Sequence, residues 1–102
     1  MHVELRVEAR QDLRQGALFY EQQREGLGDY FTDCLFEDLE RLEREAGIHA
    51  TVFGLHRKLS KRFPFAIYYR IEESVIDVVA ILDCRRDPDT IVARLRRTNG
   101  CR

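Results

Sequence analysis

Apolar and charged residues alternate at the N-terminus, where each of Val3, Leu5 and Val7 is followed by a charged residue. A period of two is typical of a strand with one buried face. From Ala9 to about Arg24 the apolar positions recur at helical spacing, and Asp12 near the start suits the positive end of a helix dipole. The spacing therefore predicts a strand followed by a helix.

The sequence EGLG, residues 25–28, breaks this helix, because glycine disfavours helical backbone by about 1 kcal/mol relative to alanine. A second apolar stripe follows at steps of three and four, and its other face is acidic. The stripe consists of Leu27, Phe31, Leu35, Leu39, Leu42 and Ala46. Gly47 stands where a helix C-cap is expected. Two helices joined by so short a break predict an antiparallel helical hairpin.

Three further strands are indicated after the hairpin. Residues 55–60 form a short basic strand in which Arg57 and Lys58 must point to opposite faces. Residues 63–71 alternate so that five residues share one face: Phe63, Phe65, Ile67, Tyr69 and Ile71. The Glu72–Ser74 stretch reads as a tight turn, and Val75–Leu82 is almost wholly apolar, as in a strand covered on both sides.

Asp87 and Pro88 predict the start of a last helix, with Asp87 as its N-cap and Pro88 at the first helical position. The predicted order is β-α-α-β-β-β-α. This order indicates an α+β fold, with the helical hairpin packed on an antiparallel β-sheet. The 102 residues are enough for one domain, which we place at residues 1–97, followed by a frayed tail at residues 98–102.

Charge is unevenly distributed, although the net charge is only −1. Residues 21–45 sum to −6, residues 56–70 to +5, residues 71–84 to −4 and residues 85–102 to +4. A strongly basic chain that would bind any polyanion is excluded, but one basic face is compatible with this pattern.

Cofactor and compartment signals are weak. Three cysteines and no CxxC motif fit reduced thiols, and the three scattered histidines lack the ligand spacing of common zinc modules. We therefore expect no metal and no cofactor. The N-terminus has no apolar stretch of a secretory signal, and no apolar run has the length of a membrane span. We expect a cytoplasmic protein that does not contact a membrane.

Three phrases of the chain resemble the RelE/ParE superfamily of toxins from type II toxin–antitoxin, or plasmid-stabilisation, modules. They are FYEQQREGLGDYF (residues 19–31), RFPFAIYYRI (residues 62–71) and CRRDP (residues 84–88). The resemblance covers about residues 3–97 and implies the RelE/ParE-like fold. RelE-like members cut mRNA on the ribosome, and ParE-like members inhibit DNA gyrase. Both are neutralised by a small antitoxin encoded beside them.

The resemblance also implies which residues a metal-independent endoribonuclease would use. RelE-like proteins rely on strand lysines, two arginines and a C-terminal tyrosine, for charge stabilisation and proton transfer. Position by position, the matching basic residues here are Arg57, Lys58 and Lys61, with Arg85 or Arg86 at the end of the last strand. The second arginine falls at residues 65–66 and the tyrosine at residues 91–92, where this chain has only apolar side chains.

Two other residues are candidates to supply the missing proton transfer. They are Tyr68, on the strand, and His56, which titrates near neutral pH. Each also has a plain structural interpretation, Tyr68 as a sheet residue and His56 as a surface strand residue. The candidate catalytic set, if the chain is a nuclease, is therefore Arg85, Arg86, Lys58, Lys61, His56 and Tyr68.

The same basic residues are candidates for binding an antitoxin or a target. The candidate binding set is Arg57, Lys58, Lys61, Arg62, Arg85 and Arg86. Lysine and arginine also protect the edges of sheets from aggregation, which is the alternative interpretation of the strand residues. Arg85 and Arg86 precede a helix N-terminus, which adds backbone N–H donors for a carboxylate or phosphate.

The expected function is that of a type II toxin that inhibits growth through DNA gyrase or an unassigned target. The alternatives are a ribosome-dependent mRNA endoribonuclease and a non-toxic remnant that binds only its antitoxin. The resemblance implies a short, acidic, amphipathic antitoxin that docks between the helical hairpin and the sheet. Operator DNA would be contacted only through this antitoxin.

Overall fold

The structure of the protein, a computed structural model, describes residues 1–100 and the side chains of residues 1–98. Its elements are β1 (His2–Leu5), α1 (Val7–Gln23), α2 (Leu27–Glu45), β2 (Thr51–Val52), β3 (Leu55–Leu59), β4 (Phe65–Glu72), β5 (Val75–Asp83) and α3 (Pro88–Gly100). The α+β class and the predicted order are confirmed, and the two-residue strand β2 is an addition that no sequence period indicates. The predicted frayed tail lies partly outside the described residues, and α3 continues to Gly100.

The five strands form one sheet in the order β1-β5-β4-β3-β2. Neighbouring strands pair antiparallel, except that β1 and β5 pair in parallel. In this parallel pair His2 lies opposite Val75, and Leu5 lies opposite Val78. The expectation of a wholly antiparallel sheet is wrong for this pair. Strands joined by short loops must run antiparallel, whereas the long helical connection after β1 leaves its direction free.

The helical hairpin covers one face of the sheet. The residues predicted to share this face are confirmed there, since Phe65, Ile67 and Tyr69 are at most 5% exposed and pack against the hairpin. Aromatic rings of α1, α2 and β4 pack against one another, and those of Phe31 and Phe65 meet edge-on with their centroids 4.9 Å apart. The apolar periods of helix and strand thus specify this core directly.

Helix α3 covers the opposite face. Its Leu95 is fully buried among small and aliphatic side chains of the three central strands, and Ile91 packs beside it. The predicted helix start is confirmed, because the Asp87 carboxylate accepts a hydrogen bond from the Asp89 backbone N–H at 3.0 Å. Strand β5 is therefore covered on both faces, as its nearly continuous apolar run predicts.

Asp12 joins α1, β5 and α3. Its side chain is 5% exposed, and its two carboxylate oxygens accept a bidentate pair of hydrogen bonds from Arg94 at 2.8 and 2.7 Å. One of these oxygens also accepts the Ile81 backbone N–H at 3.0 Å. Strand β1 ends opposite Val78, so the edge of β5 beyond it is closed at Ile81 by this side chain. The Asp12 carboxylate therefore takes the place of a strand partner for the Ile81 backbone N–H.

The turn between α1 and α2 is fixed by one carboxylate and two glycines. Glu21 accepts the backbone N–H groups of Gly26 and Gly28 at 3.0–3.1 Å. Gly26 has a φ of +87°, which other residues adopt at a cost. A Cβ on Gly28 would lie 2.6 Å from the carbonyl oxygen of Ala17. Gly28 is therefore what lets the two helices approach.

In the part of the chain that the structure describes, no helix has both the length and the apolar character needed to cross a membrane.

We expect Asp12→Ala to lower the free energy of unfolding by about 3 kcal/mol, because it leaves Arg94 and the Ile81 N–H without their partner. Urea denaturation would measure the loss. Asp33→Ala, which removes an exposed acid from α2, is the control and should change stability by less than about 0.5 kcal/mol. An Asp12→Ala variant as stable as the control would contradict the role assigned to this carboxylate.

We expect Gly28→Ala to destabilise the fold by about 3 kcal/mol, because the added methyl group must push the backbones of α1 and α2 apart. The matched variant Gly26→Ala adds the same methyl group where no atom lies within 4 Å. It should cost about 1 kcal/mol, from its left-handed backbone alone. Thermal unfolding compares the losses of stability in the two variants. Equal losses would show that the close approach of α1 and α2 at Gly28 does not contribute to stability.

Candidate functional site

Two loops meet at one end of the sheet and bring four predicted residues together. The loop before β4 carries Lys61 and Arg62, and the loop after β5 carries Arg85 and Arg86. The loops are joined by a hydrogen bond from the Cys84 backbone N–H to the carbonyl oxygen of residue 64 at 2.7 Å. These four side chains, which we name the basic end, are all exposed.

Arg85 is held rigidly within the basic end. Its guanidinium donates to both carboxylate oxygens of Asp83 at 3.0 and 2.9 Å, and it also contacts the Tyr20 hydroxyl at 3.2 Å. The hydrogen bond from Arg85 holds the pKa of Asp83 below its usual range and raises the pKa of Arg85. Because Asp83 offsets its charge, Arg85 contributes more to the shape of the loop than to its positive potential.

Arg86 is different, since no described side chain forms an ion pair with it. Its backbone N–H donates to the Asp83 carbonyl oxygen at 3.1 Å, and its exposed side chain lines a small cleft. Phe19 and Phe65 form the apolar part of that cleft. Arg86 therefore offers an exposed positive charge beside an apolar surface, and the Asp83 carboxylate lines the same cleft.

Helix α2 positions the other half of the basic end. The buried carboxylate of Asp38 accepts the Ser60 hydroxyl at 2.7 Å and the Lys61 backbone N–H at 3.4 Å, which fixes the loop. The Arg62 guanidinium donates to the Tyr30 hydroxyl at 2.8 Å, and this hydrogen bond raises the pKa of Arg62. The Lys61 side chain projects beside Arg62 at the rim of a shallow cleft.

The remaining four predicted residues lie within the sheet and on both of its faces. Arg57 and Tyr68 face α3, where the Arg57 guanidinium donates to the Tyr68 hydroxyl at 3.3 Å and to the Cys84 sulfur at 3.5 Å. This hydrogen bond to the Tyr68 hydroxyl raises the pKa of Arg57. Tyr68 itself is 3% exposed. This pair is packed into the core beneath α3.

Lys58 and His56 face the helical hairpin instead. Lys58 is 7% exposed and forms an ion pair with Glu45 at the end of α2, which lowers the pKa of that carboxyl. The Nδ1 of His56 lies 2.8 Å from the His49 carbonyl oxygen, and its ring stacks on Tyr69. The predicted alternation of Arg57 and Lys58 is therefore confirmed.

His49 and Tyr69 complete a polar network that sequence patterns do not predict. The Tyr69 hydroxyl accepts the Gly47 backbone N–H at 3.1 Å and lies 2.5 Å from the Nδ1 of His49. On its other side the His49 ring turns its Nε2 toward Glu45, whose carboxylate oxygen lies 3.7 Å away. No local period brings residues 20 positions apart into such a network.

The two residues predicted for proton transfer lie apart from each other and from the basic end. His56 and Tyr68 lie on opposite faces of the sheet, and each has a polar atom bonded within the protein. Neither converges with Lys61 or Arg86 at the basic end. Among residues 1–98, no three histidine, cysteine or acidic side chains come together that could hold a metal ion. The basic end itself presents the exposed side chains of Lys61 and Arg86.

Comparison with known proteins gives one family and one fold. Residues 3–88 match the family model described as the ParE toxin of the type II toxin-antitoxin system parDE. No curated protein sequence matches the chain. A solved structure titled as the chromosomal ParDE TA system from P. aeruginosa is similar, with a TM-score of 0.67 and 18% identity. The match covers 79% of this chain and 92% of the other, and at this identity it shows a shared fold.

We expect the free energy of unfolding to fall as the pH drops below about 6.5. Burial lowers the pKa of His49 in the folded protein, so the unfolded chain binds a proton first as pH falls. Glu45, whose pKa is also lowered, adds a further loss below about pH 4.5. Urea denaturation from pH 8 to 4 measures both. In His49→Gln the first decline should shrink, and an unchanged pH profile would contradict this assignment.

Proposed function

The chain belongs to the ParE toxin family of type II toxin–antitoxin systems, and we propose that it arrests growth by inhibiting DNA gyrase rather than by cutting mRNA. Family membership makes it the toxin of a module whose other component is a cognate antitoxin. The resemblance to the RelE/ParE superfamily is thereby confirmed. The proposal has three further parts: the cellular target of the toxin, the residues that bind this target, and the cytoplasm as the compartment in which the toxin acts.

One observation carries the choice between the two activities. The side chains that a metal-independent nuclease would use are distributed over two faces and one end of the sheet. Lys58 is neutralised by Glu45, the Tyr68 hydroxyl is buried against Arg57, and His56 is bonded to backbone. General acid–base catalysis requires such groups within hydrogen-bond reach of one substrate position. This distribution supports a binding mode of action.

The basic end is the surface that we assign to target binding. Lys61, Arg62 and Arg86 form no ion pair with a described side chain, and they lie on loops fixed by Asp38 and Asp83. Exposed aromatic side chains lie beside them, since Phe19 is 46% and Tyr30 45% exposed. Positive charge beside apolar rings suits an acidic protein surface or the DNA held by a gyrase complex. Operator DNA is contacted only through the antitoxin in this proposal.

The test is growth after induced expression, with and without the antitoxin, combined with assays of plasmid supercoiling and mRNA integrity. We expect arrest that the antitoxin prevents, altered supercoiling and intact mRNA. Purified toxin should inhibit supercoiling by gyrase directly. Codon-specific mRNA cleavage with normal supercoiling would replace this proposal with the nuclease, and normal growth would indicate a remnant that only binds antitoxin.

We expect the double variant Lys61→Ala, Arg86→Ala to inhibit gyrase at least about fivefold less than the native chain, because both charges are exposed and neither forms an ion pair. The matched control is Arg14→Ala, which removes an exposed arginine from the middle of α1. Dose–response curves for supercoiling inhibition compare the two. Equal inhibition by both variants would show that the target contacts another surface.

A further inference from the structure

A small cleft opens at the basic end, between α1 and the loop that follows β5, and its volume is about 190 Å³. Phe19 and Phe65 form its apolar part, and Gln15, Asp83 and Arg86 contribute polar atoms. An apolar cavity of about 150 Å³ is large enough to hold one benzene molecule. Pockets for cofactors and drug-sized ligands are larger, at about 300 Å³ or more. The cleft therefore has room for a single side chain up to the size of phenylalanine, and too little for a nucleotide.

Acidic side chains interrupt the positive charge of the basic end. Asp83 lines the same cleft as Arg86. The shallow cleft at Lys61 and Arg62 is likewise shared with the exposed side chain of Glu37. Duplex DNA carries one negative charge per about 1.7 Å of its axis, so proteins that bind it bring several cations to its phosphates. Phosphates bound across the basic end would instead meet a carboxylate in each of the two clefts.

The exposed residues of this surface are of the types that contribute most to protein–protein binding. Phe19 is 46% and Tyr30 45% exposed, and an arginine accompanies each of them. Arg62 donates to the Tyr30 hydroxyl at 2.8 Å, and Arg86 lines the cleft of Phe19. Aromatic residues and arginine are enriched in protein interfaces and in their hot spots. Phe19 also packs edge-on against Tyr20, with ring centroids 5.1 Å apart, so it loses little freedom when a partner binds.

We propose that the basic end contacts the protein of DNA gyrase and not its DNA: one apolar side chain of gyrase enters the cleft between Phe19 and Phe65, and an adjacent carboxylate of gyrase pairs with Arg86. The proposal rests on gyrase as the target, and it adds which component of the gyrase–DNA complex the toxin touches. Charge complementarity favours this occupant. One carboxylate neutralises the exposed charge of Arg86, whereas a row of phosphates would also approach Asp83.

Calorimetric titration tests which component is bound, with the toxin titrated against gyrase holoenzyme with and without DNA, and against duplex and single-stranded DNA alone. We expect binding to the holoenzyme without DNA, and binding to either DNA at least about hundredfold weaker at physiological salt. Binding that requires DNA, or that is as tight to DNA alone, would overturn the inference.

Supercoiling assays on the same preparations separate this inference from the choice of target. A toxin that inhibits gyrase but binds only DNA overturns the inference alone. A toxin that does not inhibit gyrase overturns both the inference and the proposed target.

Filling the cleft tests the site of contact. Gln15→Trp places a large side chain at the cleft while it leaves Phe19, Phe65 and every charge in place. Gln11→Trp is the matched control, because Gln11 is exposed one turn earlier on α1 and does not line the cleft. Gln15→Trp should bind the holoenzyme at least about tenfold more weakly than the control. Equal affinities of the two variants would overturn the inference.

Removing one apolar wall of the cleft is the complementary test. Phe19→Ala should weaken holoenzyme binding at least about tenfold, because the inserted side chain loses its contact. Leu18→Ala is the control, since Leu18 is 58% exposed at the neighbouring position and does not line the cleft. Thermal unfolding verifies that both variants fold, and Gln15→Trp remains a test if loss of the contact with Tyr20 destabilises Phe19→Ala. Unchanged affinity of a folded Phe19→Ala variant would contradict the proposed insertion.

Discussion

The carboxylate of Asp12 accepts hydrogen bonds from a side chain of α3 and from the backbone of β5, and it is itself part of α1. Its position over β5 matters because β1 ends at Leu5, which leaves the following edge of β5 without a strand. Without this carboxylate, α3 would be held by the apolar contacts of Leu95 and Ile91. Since α3 follows the loop of Arg85 and Arg86, its attachment also fixes where the basic end points.

The sequence predicts those parts of the fold that local periods encode. Alternation of apolar residues specifies both faces of β4, and steps of three and four specify the hairpin. Apolar periods do not predict the parallel pairing of β1 with β5, because such pairing leaves no pattern in the local sequence. The sequence indicates Asp12 only as a charge suited to a helix N-terminus, because its partner Arg94 lies 82 residues away. Contacts of that kind depend on the assembled fold.

The candidate site likewise has features that the sequence predicts and features that it does not. The opposite orientation of Arg57 and Lys58 follows from strand geometry, but their partners do not. A positive count over residues 56–70 suggests a basic face, yet Lys58 is neutralised by Glu45 and Arg70 by Asp77. Within this segment Arg57, Lys61 and Arg62 form no ion pair with a described side chain, and of these only Lys61 and Arg62 are exposed, in the loop before β4. Linear charge counts overstate a surface potential wherever ion pairs join segments that are distant in the sequence.

The pairing of β1 with β5 has a consequence for synthesis. The ribosome makes β1 first, but its partner is separated from it by about 70 residues and is the last strand to emerge. Until β5 has emerged, the apolar residues of β1 and of the helical hairpin have only part of the sheet to pack against. Asp12 also lacks its ion-pair partner, because Arg94 follows β5 in the sequence. Contacts this far apart in sequence form late. A chain whose synthesis stops before β5 is complete therefore has neither the finished sheet nor the basic end.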